Sequence, residues 1–176
     1  IITLNLNKIV SHIWEMIRFE NTELSELIFD KQNPICSTSD MEPWYTGRPC
    51  EVAQKSHINF CVLDSRWENS AAFALDKCEE VQAWVKNAHL GFEILYIFQG
   101  IVKKYRPDFI VKLTNGQHVI IEVKGVETEQ DKIKQRFLNE WIQAVNQNGS
   151  FGKYRTIMIK NPAEINDAMK FCIKMA

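Results

Sequence analysis

The 176-residue chain lacks several features that would assign it quickly to a class. It has five cysteines, Cys36, Cys50, Cys61, Cys78 and Cys172, odd in number and widely spaced, with no paired ligand spacing. A disulfide scaffold and a cysteine zinc site are therefore excluded, and reduced thiols in a cytoplasmic setting are expected. A basic excess is also missing: the formal net charge is −1, so nucleic acid would be held through local patches rather than by the whole surface. No apolar run approaches the roughly 20 residues that cross a bilayer, these residues include no signal-peptide pattern, and no internal repeat or low-complexity tract occurs.

What is present is enough for one packed core, with 45% hydrophobic residues and no need of a disulfide or metal to fold. Two apolar, β-branched runs stand out: residues 105–111, Tyr-Arg-Pro-Asp-Phe-Ile-Val, and residues 119–125, Val-Ile-Ile-Glu-Val-Lys-Gly, with Asn115-Gly116 between them. Asn-Gly supplies the positive φ values of a tight turn, so the pair reads as a β-hairpin. Asp108, Glu122 and Lys124 lie inside these strands. Charges there are costly unless they pair, share hydrogen bonds or hold a metal. Register decides whether they meet. A two-residue turn sets Asp108 opposite Val123 and points it away from Glu122 and Lys124, whereas a three-residue loop pairing Asp108 with Lys124, or a bulge near Pro107, restores a common face. One of these irregularities is expected.

Two carboxylates and a strand carbonyl, here that of Val123, are hard oxygen ligands of the kind magnesium prefers, and a neighbouring lysine suits a phosphate or an attacking water. The trio thus points to metal-assisted phosphodiester hydrolysis. Pro107-Asp108 with Glu122-Val123-Lys124 resembles the PD-(D/E)xK motif of the restriction-endonuclease-like nucleases.

The surrounding periodicities agree with that resemblance. Residues 65–85 carry apolar side chains at Trp67, Ala71, Leu75, Cys78, Val81 and Val85 and read as a helix; residues 91–98 and 101–113 read as strands, followed by the strand ending at Lys124. Residues 127–147 return to helical spacing, with Thr128, Glu129 and Asp131 suiting the N-terminal end. Residues 153–160 form a further strand, and Asn161-Pro162 opens a last helix. The expected fold is α/β (α+β), an αβββαβ core with a central mixed sheet flanked by helices, as the resemblance implies. Residues 1–56 form an N-terminal helical extension, with a second short helix at 23–29 and a long loop from 34 to 56, and residues 57–176 form the core, opening with a strand at 57–63.

The segments 38–47, 55–60, 83–87 and 92–94 are moreover similar to the C-terminal nuclease region of type III restriction enzyme Res-like subunits. In that family a DEAD/DEAH-type helicase precedes the nuclease. This chain has neither a phosphate-binding glycine-lysine loop nor an Asp-Glu-Ala-His box and starts at Ile1, so a fragment is expected whose ATP-driven helicase lies upstream. The resemblance implies a cytoplasmic Mg2+-dependent endonuclease, with Mn2+ as a substitute, acting on double-stranded DNA beside a methyltransferase or specificity subunit. By position, Asp108, Glu122 and the Val123 carbonyl would hold metal and Lys124 would assist the water or phosphate. Glu68 has two readings: a further metal ligand, or the glutamate of a Ser65-x-x-Glu68 capping box. Lys103, Lys104 and Arg106 before the motif, and Lys132, Lys134 and Gln135 after it, are candidate DNA contacts. Trp44 and Tyr45 suit base stacking or packing of the loop, and His57 a structural role. Alternative functions are a non-catalytic DNA-binding or docking module on this fold, and a junction-resolving or repair nuclease.

Overall fold

Alternating burial along residues 109–113 and 118–123 organises the molecule, because Phe109, Val111, Leu113, Val119 and Ile121 are fully buried on one face of a sheet while Ile120 is buried on the other. The computed structural model describes residues 2–21, 38, 41–62 and 64–175. In chain order the elements are α1 (Ile2–Asn21), β1 (Cys50–Val52), β2 (Phe60–Val62), α2 (Arg66–Lys77), β3 (Val81–Lys86), β4 (Ile94–Phe98), β5 (Ile101–Tyr105), β6 (Phe109–Leu113), β7 (His118–Val123), α3 (Glu129–Asn148), β8 (Tyr154–Ile159), a 3-10 turn (Pro162–Glu164) and α4 (Ile165–Lys174).

The fold is mixed α/β. A four-stranded sheet has the order β3-β6-β7-β8, antiparallel at its first two pairings and parallel between β7 and β8. The parallel pair requires a crossover, which α3 supplies. On one face α2 and α4 pack Ala71, Leu75, Ile165 and Met169 against Phe109, Val111 and Val119. On the other, Leu138 and Ile142 of α3 meet Ile120 together with Ile94, Tyr96 and Tyr105 of β4 and β5. Among the described residues no helix is long and apolar enough to cross a membrane.

Four expectations require correction. The helix expected over 65–85 ends at Lys77, Cys78 takes an extended conformation, and Val81–Lys86 is the edge strand of the central sheet. Val81 and Val85 sit four apart, which fits a helix face, but both are β-branched and flank Trp84, and β3 buries them beside β6. The strand expected over 101–113 is two strands, because Arg106-Pro107-Asp108 breaks the ladder where proline has no N–H to donate. The strand at 91–98 begins at Ile94 and pairs only with β5, as a separate hairpin outside the central sheet. Finally, the loop expected over 34–56 contains β1, which pairs with β2 within the expected 57–63 strand. The short helix expected at 23–29 lies outside the described residues.

The ends of α3 follow the sequence closely, while Asn161 caps the 3-10 turn and α4 itself opens at Ile165 without a side-chain cap. Thr128 and Asp131 form a reciprocal capping box, Gly149 closes α3 in the left-handed conformation, and Asn161 accepts from the Ala163 N–H ahead of Pro162.

Candidate active site at the end of the central sheet

The β6–β7 turn settles how the charged residues meet. Leu113 N–H donates to the Gln117 carbonyl at 2.8 Å and Gly116 N–H to the Leu113 carbonyl at 2.9 Å, so Thr114–Asn115–Gly116 is a three-residue loop. Gly116 takes φ +85°, a conformation that L side chains rarely adopt. The ladder pairs Phe109 with Ile121 and Ile110 with Ile120. Continued by one residue it sets Asp108 opposite Glu122. The expected pairing with Lys124 is thus displaced by two residues, and a two-residue displacement keeps the face. Asp108 and Glu122 share the side of the sheet covered by α3.

Both carboxylates are withdrawn from water. Asp108 Oδ2 accepts the Val123 N–H at 2.7 Å, and its main-chain carbonyl accepts the Asn87 N–H at 2.8 Å, which ties the start of β6 to the ends of β7 and β3. Glu122 Oε2 accepts the hydroxyl of the buried Tyr105 at 2.9 Å. Burial, with the charge of Glu68 adding to it against the Val123 hydrogen bond, pushes Asp108 up to about 6. Burial and then the charge of Asp108 push Glu122 up to about 7. Tyr105 is raised as well, by burial and by the Glu122 charge. Two acids that each resist ionisation beside the other form an under-compensated negative site.

The cations nearby are arranged around a third acid. Lys124 Nζ bonds Asp131 at 2.7 Å, and Lys134, one turn along α3, bonds it at 3.2 Å. Asp131 is 3% exposed and also accepts the Thr128 N–H and hydroxyl. Burial opposes its charge, but Lys124, Thr128 and Lys134 together hold its carboxyl well below the usual range. Lys124 and Lys134 still act on Glu122 across this arrangement, and Lys134 lies 5.4 Å over the Tyr105 ring.

Glu68 approaches from α2. Ser65 Oγ accepts the Glu68 N–H and donates to Glu68 Oε1 at 3.1 Å, so the serine cap is present; Glu68 Oε2 meanwhile pairs with Lys86 at 2.8 Å. Lys86, 8% exposed at the end of β3, also bonds Asp64 at 2.5 Å and the Val62 carbonyl at 3.0 Å. Burial alone would lower the proton affinity of Lys86; Asp64 and Glu68 raise it. Lys86 and Asp64 escaped the sequence reading. The signal was a lysine closing the apolar run Val81–Lys86, and its partner lies 22 positions away.

The six candidate DNA contacts separate. Lys134 is the one whose charge acts on both Asp108 and Glu122. Lys104 and Arg106 pair with Glu93, Lys103 lies 5.0 Å over the Phe98 ring, Lys132 pairs with Glu129 at 2.7 Å, and Gln135 is half-buried on α3.

Among the described residues no group of three or more His, Cys, Asp or Glu is arranged to hold a metal ion. Asp108 and Glu122 nevertheless suit one: they are hard oxygen donors whose raised proton affinity a divalent cation would relieve, and magnesium commonly takes only one or two protein carboxylates. Val123 spends its N–H on Asp108, which fixes its peptide group beside the same carboxylate. Comparison of the chain with protein-family models, with curated proteins and with solved structures found no match.

Proposed function

We propose that this chain is a Mg2+-dependent DNA endonuclease domain that hydrolyses phosphodiester bonds, with Mn2+ able to replace Mg2+. The observation that carries the reading is the pairing of Asp108 and Glu122, where each acid is pushed above its ordinary range although the charge of Lys134 acts on both and that of Lys124 on Glu122. The element order α2-β3-β6-β7-α3-β8, with β4–β5 as an insertion, supports a restriction-endonuclease-like core. When bound, the metal ion supplies positive charge at the phosphate and a lowered pKa for its water. Asp108, Glu122 and the Val123 carbonyl would hold it, and Glu68 would join them by exchanging from Lys86.

Lys124 is the phosphate-facing or water-orienting cation in this reading. An ammonium has three donors, so Asp131 can fix its direction while it serves a substrate oxygen. Lys134 adds a second charge at the same place. Tyr105 holds Glu122 in one orientation, and the Val123 N–H does the same for Asp108.

The wider setting belongs to the proposal too: double-stranded DNA as substrate, an upstream helicase in the same polypeptide supplying ATP-driven movement, a methyltransferase or specificity subunit as partner, and a cytoplasmic location in keeping with the free thiols of Cys50, Cys61, Cys78 and Cys172. A second reading, a non-catalytic DNA-binding or docking module, is favoured by one observation: Lys124 and Lys134 both bond Asp131. Magnesium titration by calorimetry, with plasmid nicking on the same samples, separates the two. The nuclease binds metal and nicks, and Asp108→Ala and Glu122→Ala lose both; absence of metal affinity in the wild type leaves the binding module.

A further inference from the structure

A cleft of about 550 Å3 opens at the end of β3, lined by Trp44, Tyr45, Arg48, Asn87, His89 and Arg106 among others. Its lining residues are bonded to the neighbours of the site. Asn87 donates its N–H to the Asp108 carbonyl at 2.8 Å, Arg106 stands two residues before Asp108, and Asp64 at its floor is bonded to the Lys86 that pairs with Glu68. Its size falls within the range of about 300–1,000 Å3 typical of small-ligand clefts.

Its chemistry is aromatic and charge-balanced. Tyr45 is fully exposed, so the loop gains nothing by burying it. Trp44 packs edge-on against His89 with ring centroids 4.9 Å apart, and His89 holds φ 59°, an uncommon conformation for a residue with a side chain. The loop thus fixes one aromatic ring and offers another to solvent. Both guanidinium groups are already paired, Arg48 with Asp64 and Arg106 with Glu93. A phosphate would have to compete with those acids, whereas a flat uncharged group would not. Guanidinium planes and aromatic rings both stack on nucleobases, whatever the sequence.

We infer that the Trp44–Tyr45 cleft seats an unpaired nucleobase of the strand that lies across Asp108 and Glu122, which makes the preferred substrate double-stranded DNA that is opened to a single-stranded stretch at the cleavage point. The inference rests on the nuclease reading for its orientation, and the seat itself is measurable without catalysis. The experiment is fluorescence anisotropy at low salt in EDTA, with a labelled short thymidine oligonucleotide and the same oligonucleotide in a duplex, on the wild type, Tyr45→Ala, Tyr45→Phe and Trp44→Ala. Nicking in Mg2+ is scored in parallel.

The wild type is expected to bind the single strand more tightly than the duplex. Tyr45→Ala should weaken single-strand binding about tenfold and leave the duplex unaffected, while Tyr45→Phe retains it. Tyr45 touches no core, so its variants carry the test even if Trp44→Ala fails to fold. Single-strand affinity unchanged in Tyr45→Ala, or a duplex bound as tightly as the single strand, overturns the seat. Nicking accompanied by unchanged Tyr45→Ala binding removes the seat and leaves the nuclease; Tyr45-dependent binding without nicking supports the seat and removes the nuclease.

Discussion

Glu122 on β7 and Asp131 on α3 are acids at the same end of one sheet, yet their surroundings drive them in opposite directions. Asp131 is 3% exposed and receives two lysines and the Thr128 cap, and its carboxyl is held well below the usual range. Glu122 is half-buried, receives one neutral hydroxyl from Tyr105 and faces the charge of Asp108, and its carboxyl is pushed up to about 7. Burial penalises both; what differs is compensation. A compensated acid stays charged and holds its neighbours, whereas an under-compensated pair resists ionisation and would gain from added positive charge.

The largest effect expected from breaking this contrast is on the compensated side. Asp131→Ala removes its half of the Thr128 capping box and the shared partner of the partly exposed Lys124 and Lys134, and the loss should be about 2–3 kcal/mol in urea unfolding. Asp131→Asn keeps an acceptor for Thr128 and loses only the charge, so its loss should be smaller, about 1–2 kcal/mol. No loss in Asp131→Asn beside a full loss in Asp131→Ala would make Asp131 a cap and nothing more.

On the other side the sign reverses. Asp108→Asn and Glu122→Gln remove a charge that the fold resists, and each should abolish nicking and metal binding while raising metal-free stability by about 1–2 kcal/mol at pH 8. Lower stability at pH 8 in either variant would show that the ionised pair is not under-compensated.

The pH dependence sharpens the same point. Glu122 rises from an ordinary 4.5 to about 7 in the folded chain, so between these values the folded state binds more protons than the unfolded state. The stability this contributes is fully present below about pH 4.5 and is lost as pH rises through 7. Thermal unfolding without metal should therefore fall in midpoint between pH 5 and 8 in the wild type more than in Glu122→Gln, and added Mg2+ should restore it at pH 8 and do little at pH 5. Equal Mg2+ stabilisation at both values would place the ion elsewhere.

The legible part of the site was the part whose charges interrupt local patterns. Asp108, Glu122 and Lys124 stood out because apolar strands do not carry charge casually, and Thr128 and Asn161 because caps act over three residues. The boundary between α2 and β3 was illegible because Val81 and Val85 satisfy a helix face as well as a strand. The Asp108–Glu122 pairing was half legible: face follows from the parity of the loop, partner from its placement, and Asn115-Gly116 allowed a three-residue loop on either side. Lys86 with Asp64 was hidden by distance in sequence. Asp131 was read as a helix-start residue, which it is; that it also holds Lys124 depends on where β7 ends relative to α3.

The smallest expected effect separates the two lysines of α3, of which the sequence reading set Lys134 nearer the site. Lys134 acts on both Asp108 and Glu122, whereas Lys132 pairs with the exposed Glu129 on the solvent side. A lysine that contacts a phosphate releases a counterion, so its loss lowers the slope of log affinity against log salt by about 1. Lys134→Ala should reduce that slope for DNA binding and slow nicking, and Lys132→Ala should leave both unchanged. A reduced slope in Lys132→Ala would carry the DNA path outward along the exposed face of α3, away from the end of the sheet where Asp108 and Glu122 converge.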